Sequence, residues 1–321
     1  MNTITKSPDG GQRLQNRPAN SLQRFLNRIW RHRILYLMIL PSIITMFIFH
    51  YIPIYGIQIA FKNYRPVRGF ANSPWVGMQY FIKFIKYPYF GQIMWNSLWI
   101  NICSLLFFPV PVIFALFLNE MRFTKTKKVC QTITYAPHFV STVIVCTMIS
   151  MFCSTDGLFN IIGNLLGQEE ARNILYNKDN FAWILALSGL WQGLGWGTII
   201  YTAALAGVSP ELIEASRIDG ANRWQVMLHV NIPCILPTVI TMLILRTGTL
   251  LSTGFEKVYL LQNALNLDAS QTIATYVYQI GLRQTQYSYS TAVNLFQNLI
   301  EIVMILIVNH ISKKVTETSL W

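Results

Sequence analysis

Residues 209–233 read SPELIEASRIDGANRWQVMLHVNIP, and their reading decides how the rest of the chain is taken. The segment is too polar to lie in a bilayer, yet it stands between two strongly apolar stretches, so it is a loop between membrane helices. Its local signals are those of ordered structure. Ser209 is placed to N-cap a helix, Pro210 fits the first helical position, and Glu211 suits the positive end of the helix dipole. Gly220 follows where the helix should end, on a residue free to take positive φ. Asn222 then caps a second short helix running to Pro233. Two short helices broken at Asp219-Gly220 make a rigid, projecting elbow.

Composition supports a membrane setting. The 321 residues are 53% hydrophobic and 12% charged, about half the charged share of an average soluble domain. The fold class read from this is all-α and polytopic. A net charge of +12 invites a nucleic-acid partner, but the basic residues flank apolar spans. The positive-inside rule and anionic membrane lipid account for them there, with no nucleic acid. Cys103, Cys130, Cys146, Cys153 and Cys234 are scattered without a Cys-x-x-Cys pair, so they read as reduced packing residues, neither disulfide framework nor metal site.

Six segments are long enough to cross about 30 Å of hydrocarbon: 34–60, 93–119, 129–152, 181–207, 233–253 and 290–311. Residues 1–33 lack a cleavable signal pattern and read as a basic cytoplasmic tail, with an amphipathic helix over 21–33. The expected organisation is therefore tail 1–33, transmembrane domain 34–311 with the elbow at 209–233, and tail 312–321. Both termini are expected in the cytoplasm. Fifteen Lys/Arg then lie inside and nine outside. The first outer loop runs against the bias, with Lys62, Arg65, Arg68, Lys83 and Lys86 and no acidic residue. Either the flanking spans position it, or its charge serves something outside. Arg122, Lys125, Lys127 and Lys128 form a basic cytoplasmic turn. Residues 157–167 read as a short helix along the outer interface.

The elbow resembles the cytoplasmic Glu-Ala-Ala (EAA) loop of binding-protein-dependent ABC importer permeases. Glu214-Ala215-Ser216, Gly220 and Val230-Asn231-Ile232-Pro233 meet its spacing. Ser216, Val230 and Ile232 depart from it by small changes of volume. The resemblance implies a type I importer transmembrane domain whose loop docks on an ATPase subunit. Glu214, Ala215, Ser216, Asp219, Gly220 and Arg223 are the residues so implied to couple. It also implies a second permease subunit, expected as a heterodimer partner, together with two ATPase subunits and an extracytoplasmic solute-binding protein. A bacterial cytoplasmic membrane is the implied location. YIPIYG at 51–56 and SPWVG at 73–77 resemble the LplB-type branch of the maltose-transporter (MalF-like) permease group. That branch implies oligosaccharide uptake. An interfacial aromatic belt also accounts for Tyr51, Tyr55 and Trp75.

Candidate pathway residues come from the spans. Gly189, Gly193 and Gly197 form a small-residue ladder suited to close helix approach. Trp191, Gln192 and Trp196 share that span, either as packing or as stacking faces and an amide for a sugar. Asn294, Gln297, Asn298 and Glu301 fall on one helix face, and polar groups in a membrane need a bundle interior or water. Arg246 lies thirteen residues past Pro233, roughly 20 Å in at 1.5 Å per residue. That depth puts Glu301 within its reach, either as a structural pair or with Arg246 facing an acidic or hydroxyl-rich solute.

The sequence holds no Gly-x-x-x-x-Gly-Lys-Ser/Thr loop, no His/Cys cluster and no nucleophile–base pair. The chain is expected to be a non-catalytic permease without cofactor, importing oligosaccharides. The basic outer loop and Arg246 lean towards uronic-acid chains such as pectin or alginate fragments. A permease for a non-sugar solute is one alternative. The other is a membrane-embedded glycan-processing enzyme, for which Glu169, Glu170 and Asp179 are the acidic candidates.

Overall fold

The computed structural model describes residues 30–167, 172–252 and 254–316. Residues 1–29, with most of the expected 21–33 helix, lie outside that set, as do Glu169, Glu170 and residues 317–321. The chain divides into two units, residues 1–57 and 58–321. In the first, α1 (Arg33–Met46) carries Pro41 inside and continues through a π-helical turn, Phe47–Tyr51, where the two end rings stack at 6.0 Å.

In the second unit α2 (Gln79–Ile85) leads to α3 (Phe90–Leu106) and α4 (Pro109–Glu120). Then come α5 (Thr124–Tyr135), a 3₁₀ turn (Ala136–Phe139), α6 (Thr142–Phe152) and α7 (Leu158–Leu165). α8 (Lys178–Ala206) is followed by α9 (Pro210–Ile218) and α10 (Arg223–Val226). A π-helical turn, Met227–Asn231, joins α10 to α11 (Ile232–Thr247). Three short helices, α12 (Phe255–Leu261), α13 (Leu267–Ser270) and α14 (Ile273–Tyr278), precede the long α15 (Tyr287–Thr316). Among the described residues there is no strand beyond one isolated bridge between Lys62 and Trp75.

Among the described residues, four helices are long and apolar enough to cross a membrane: Arg33–Phe61, Phe90–Glu120, Arg223–Thr247 and Tyr287–Lys314. They correspond to the first, second, fifth and sixth expected spans, although the fifth already begins at Arg223 and α15 runs past 311. The expected third span is not one rod. Its two halves, Thr124–Phe139 and Thr142–Phe152, meet at 94°. The break is local chemistry: Pro137 lies in the 3₁₀ turn, and the Ser141 hydroxyl accepts from the Ile144 N–H at 3.4 Å, starting a new helix. The expected fourth span is α8, whose 29 residues reach about 43 Å at 1.5 Å per residue. Its Gly, Trp and Gln residues keep it less apolar than a span such as Phe90–Glu120.

α8 is the axis of this unit, packed on α3, α4, α5, α11 and α13. Asn177 starts it by accepting from the Asp179 N–H at 3.0 Å. Ile100, Cys103, Cys146, Phe181, Leu185 and Val258 bury one core against it, and Ala115, Leu116, Tyr201, Leu205, Met227 and Ile235 a second at the root of the elbow. All five cysteines are free thiols.

The glycines of α8 divide by surroundings. At Gly189 and Gly193 an added methyl meets open space, and at Gly197 it touches only Pro111 at 3.6 Å. At Gly195 it collides with the Thr134 carbonyl oxygen and the Tyr135 ring. Gly195→Ala should therefore lower the unfolding midpoint of the purified protein by the equivalent of about 1–3 kcal/mol, while Gly189→Ala and Gly193→Ala do not lower it and raise it by the helix propensity gained. Differential scanning fluorimetry of the three variants checks this.

Candidate functional site

The elbow forms as its sequence dictates. Ser209 Oγ accepts from the Glu211 N–H at 3.2 Å, Pro210 opens α9, and Gly220 turns the chain at φ +82°. Asn222 and Gln225 cap each other reciprocally: Asn222 Oδ1 accepts from the Gln225 N–H at 2.9 Å and Gln225 Oε1 from the Asn222 N–H at 2.8 Å. Glu214, Ala215, Asp219, Gly220 and Arg223 are exposed, and Ser216 is half-buried with its hydroxyl spent on the Ile213 carbonyl. Ile218, 86% exposed, stands beside them with Leu212 and Trp224. These apolar residues were not singled out from the sequence. The signal was there, as large apolar side chains on helices otherwise polar. Behind the elbow lies a polar cavity of about 790 Å³ that takes in Glu120, Arg122, Arg217 and Arg223.

A groove of about 390 Å³ lies between α3–α4, α8 and α11. Gly189, Gly193 and Gly197 form one wall, Phe107, Phe108 and Pro111 another, and Arg246 enters from α11. Arg246 is exposed. The Arg246–Glu301 pair does not form: Glu301 Oε1 accepts from Ser252 Oγ at 2.9 Å and from Gln297 Nε2 at 3.1 Å. The reason is azimuth rather than depth. α11 meets α15 through Gly248 against the Ile305 side chain, and Arg246 points the other way, towards α8. Among the described residues its guanidinium has no ion-pair partner.

The other candidates do not converge on that groove. Trp191 lines a separate apolar cavity of about 550 Å³ with Met148, Phe152, Phe159 and Ile184. Trp196 stacks on His138, ring centroids 4.5 Å apart and planes at 6°. Gln192 is a clamp: Nε2 donates to the Val140 carbonyl at 2.9 Å, and Oε1 accepts from Lys257 Nζ at 3.0 Å. On α15, Gln297 is buried while Asn294 and Asn298 are exposed. In the first outer loop Lys62 is spent structurally. It is buried, donates to the Phe70 carbonyl at 2.8 Å and sits 4.8 Å above the Trp75 ring. Arg65, Arg68, Lys83 and Lys86 stay exposed. Asp179 is exposed in the first turn of α8, and among the described residues no His, Cys, Asp and Glu gather as a metal site.

Residues 111–317 match the family model described as binding-protein-dependent transport system inner membrane component. The chain is 40% identical, over 93% of its length and 94% of the relative's, to the polygalacturonan/rhamnogalacturonan transport system permease protein YteP of Bacillus subtilis strain 168. It is 42% identical to protein LplB of the same organism, over 91% of this chain and 92% of that one. A solved chain of a bacterial alginate ABC transporter, in complex with an alginate pentasaccharide-bound periplasmic protein, superposes with TM-score 0.83 at 34% identity. That likeness covers 92% of this chain and all of the other.

The clamp makes a prediction of its own. Gln192→Leu strands the Val140 carbonyl and removes a partner of Lys257, so it should destabilise the purified protein by about 1–3 kcal/mol. An unchanged melting temperature would mean that Gln192 is free for a solute.

Proposed function

The chain belongs to the family of binding-protein-dependent transport system inner membrane components, and from that premise we propose that it carries uronic-acid-containing oligosaccharides across the membrane. It is a non-catalytic membrane subunit of an ABC sugar importer. The observation that carries the cargo reading is Arg246, an exposed cation in the last turn of α11, without an ion-pair partner among the described residues, beside the open glycine wall of α8. A charge on a membrane-spanning helix is tolerated where it meets water or a counter-charge. A uronate carboxylate is such a counter-charge, and polygalacturonan, rhamnogalacturonan and alginate, the substances named for the relatives, are built with uronic acids. The exposed basic residues of the first outer loop give the same sign of field at the entrance.

In this reading residues 34–311 are the transmembrane domain, both termini are cytoplasmic and the elbow faces the cytoplasm. Glu214, Asp219 and Arg223, with Ile218 and Trp224 between them, meet one of two ATPase subunits. A second permease, different in sequence, completes the pathway opposite the exposed Asn294 and Asn298. ATP binding draws the ATPases together and moves the elbow, and the bundle turns outward because the two states contact the ATPases differently.

Two substitutions test this. In proteoliposomes holding the full complex and its binding protein, Arg246→Gln should raise the concentration of acidic oligosaccharide that half-stimulates ATP hydrolysis. The expected rise is about tenfold or more, the worth of a charge-assisted hydrogen bond, with neutral oligosaccharides of equal length unaffected. Equal behaviour of wild type and variant would return Arg246 to a structural role. Glu214→Arg should abolish copurification of the ATPase or leave it bound but unresponsive to solute. Normal stimulated turnover would remove Glu214 from the coupling contact.

A further inference from the structure

The segment between α11 and α15 folds against α2 and encloses a pocket of about 260 Å³. It lies wholly in segments assigned above to the outer side. Tyr276 and Tyr289 make its floor, both buried, with their hydroxyls 3.0 Å apart. Burial first, and then the hydrogen bond to Tyr289, push the Tyr276 phenol far above its ordinary value, so it stays a neutral hydrogen-bonding group. Gln279, Gln284 and Gln286 stand exposed on the rim. Lys83 of α2 closes it, its Nζ 4.4 Å from the centroid of the Tyr289 ring.

Two departures from regular backbone build that rim. α14 runs into a π-helical turn, Gln279–Arg283, a feature frequent at functional sites. Two residues later Thr285 takes φ +55°, a left-handed conformation that costs a non-glycine residue about 1–3 kcal/mol. The strained turn sets Gln284 and Gln286 side by side, with Gln286 Nε2 donating to Gln284 Oε1 at 3.0 Å. Each amide keeps further donors or acceptors for another group.

We infer that this pocket is an entry subsite for one uronate unit of the oligosaccharide. The carboxylate lies against the Lys83 ammonium, the ring hydroxyls meet the amides of Gln279, Gln284 and Gln286, and the apolar ring face rests on tyrosine. The volume supports a single unit, being below the about 300–1,000 Å³ typical of whole-ligand pockets. Charge supports an acid: no Asp or Glu lines this pocket. The larger outer pocket by Trp95 and Trp99 carries Asp179 and Asp268 against a single Lys178, a net negative charge that disfavours a uronate. The inference rests on the uronic-acid reading of the cargo given above.

The test is protection of Lys83 from amine acylation, read by mass spectrometry on the permease–ATPase complex in nanodiscs. Lys86, exposed on the next turn, is the internal control. Trigalacturonate should slow acylation of Lys83 several-fold and leave Lys86 unchanged, while a neutral trisaccharide slows neither. If Lys83 reacts at the same rate while trigalacturonate, with the binding protein, still stimulates ATP hydrolysis in the same preparation, the subsite is overturned and the cargo reading stands. Equal slowing by the neutral sugar overturns recognition of the carboxylate by Lys83. Slowing by sugar-free binding protein alone makes the pocket a protein-docking surface and overturns the inference. The absence of both slowing and stimulation removes the cargo reading and the subsite with it.

Discussion

Gln192 adds polar ties among three segments that the core around Cys146, Leu185 and Val258 packs together. In hydrocarbon, a carbonyl released from a helix must find a donor within the protein. The bend between α5 and α6 releases such carbonyls, and the Gln192 amide supplies Val140 with its donor. The other end of the same amide accepts from Lys257, which also reaches Ser188 Oγ at 3.5 Å. One side chain on α8 thus fixes the bent pair and the outer helix α12 to the central axis. With that face of α8 committed, a different face is left to form the glycine wall of the groove.

A ladder of small residues usually means that another backbone comes close. In α8 that task falls to Gly195, set against Thr134 and Tyr135, which lies outside the ladder's own spacing. Gly189 and Gly193 keep open space instead and let the groove approach the helix axis, with Arg246 across it. Smooth walls with one charge bind weakly at many points, which suits a solute that must leave as readily as it arrives.

Much of this was legible in the sequence, and what was hidden has common physical causes. The elbow was readable because capping is local: Ser209, Pro210, Gly220 and Asn222 act on neighbours within four residues. The apolar spans were readable from composition. The 94° bend was missed, because residues 129–152 are apolar enough on average to read as one span, although Pro137 and Ser141 both signal the break. Depth along a helix predicted that Arg246 and Glu301 share a level, but depth carries no azimuth, and the two face different helices. The Lys83 pocket was invisible because it joins residues 83–87 to residues 271–289, and its one sequence sign was a basic outer loop without acids. Lys62 shows the limit of that sign, since its charge is spent within its own loop.

The account stands on Arg246 facing water in the groove. Arg246→Cys, placed in a chain whose five native cysteines are replaced, tests it through thiol labelling of the assembled complex in nanodiscs. The account predicts reaction with a charged, water-soluble methanethiosulfonate, slowed by acidic oligosaccharide in the presence of the binding protein. Reaction only with a lipid-soluble reagent, in every nucleotide state, would contradict it.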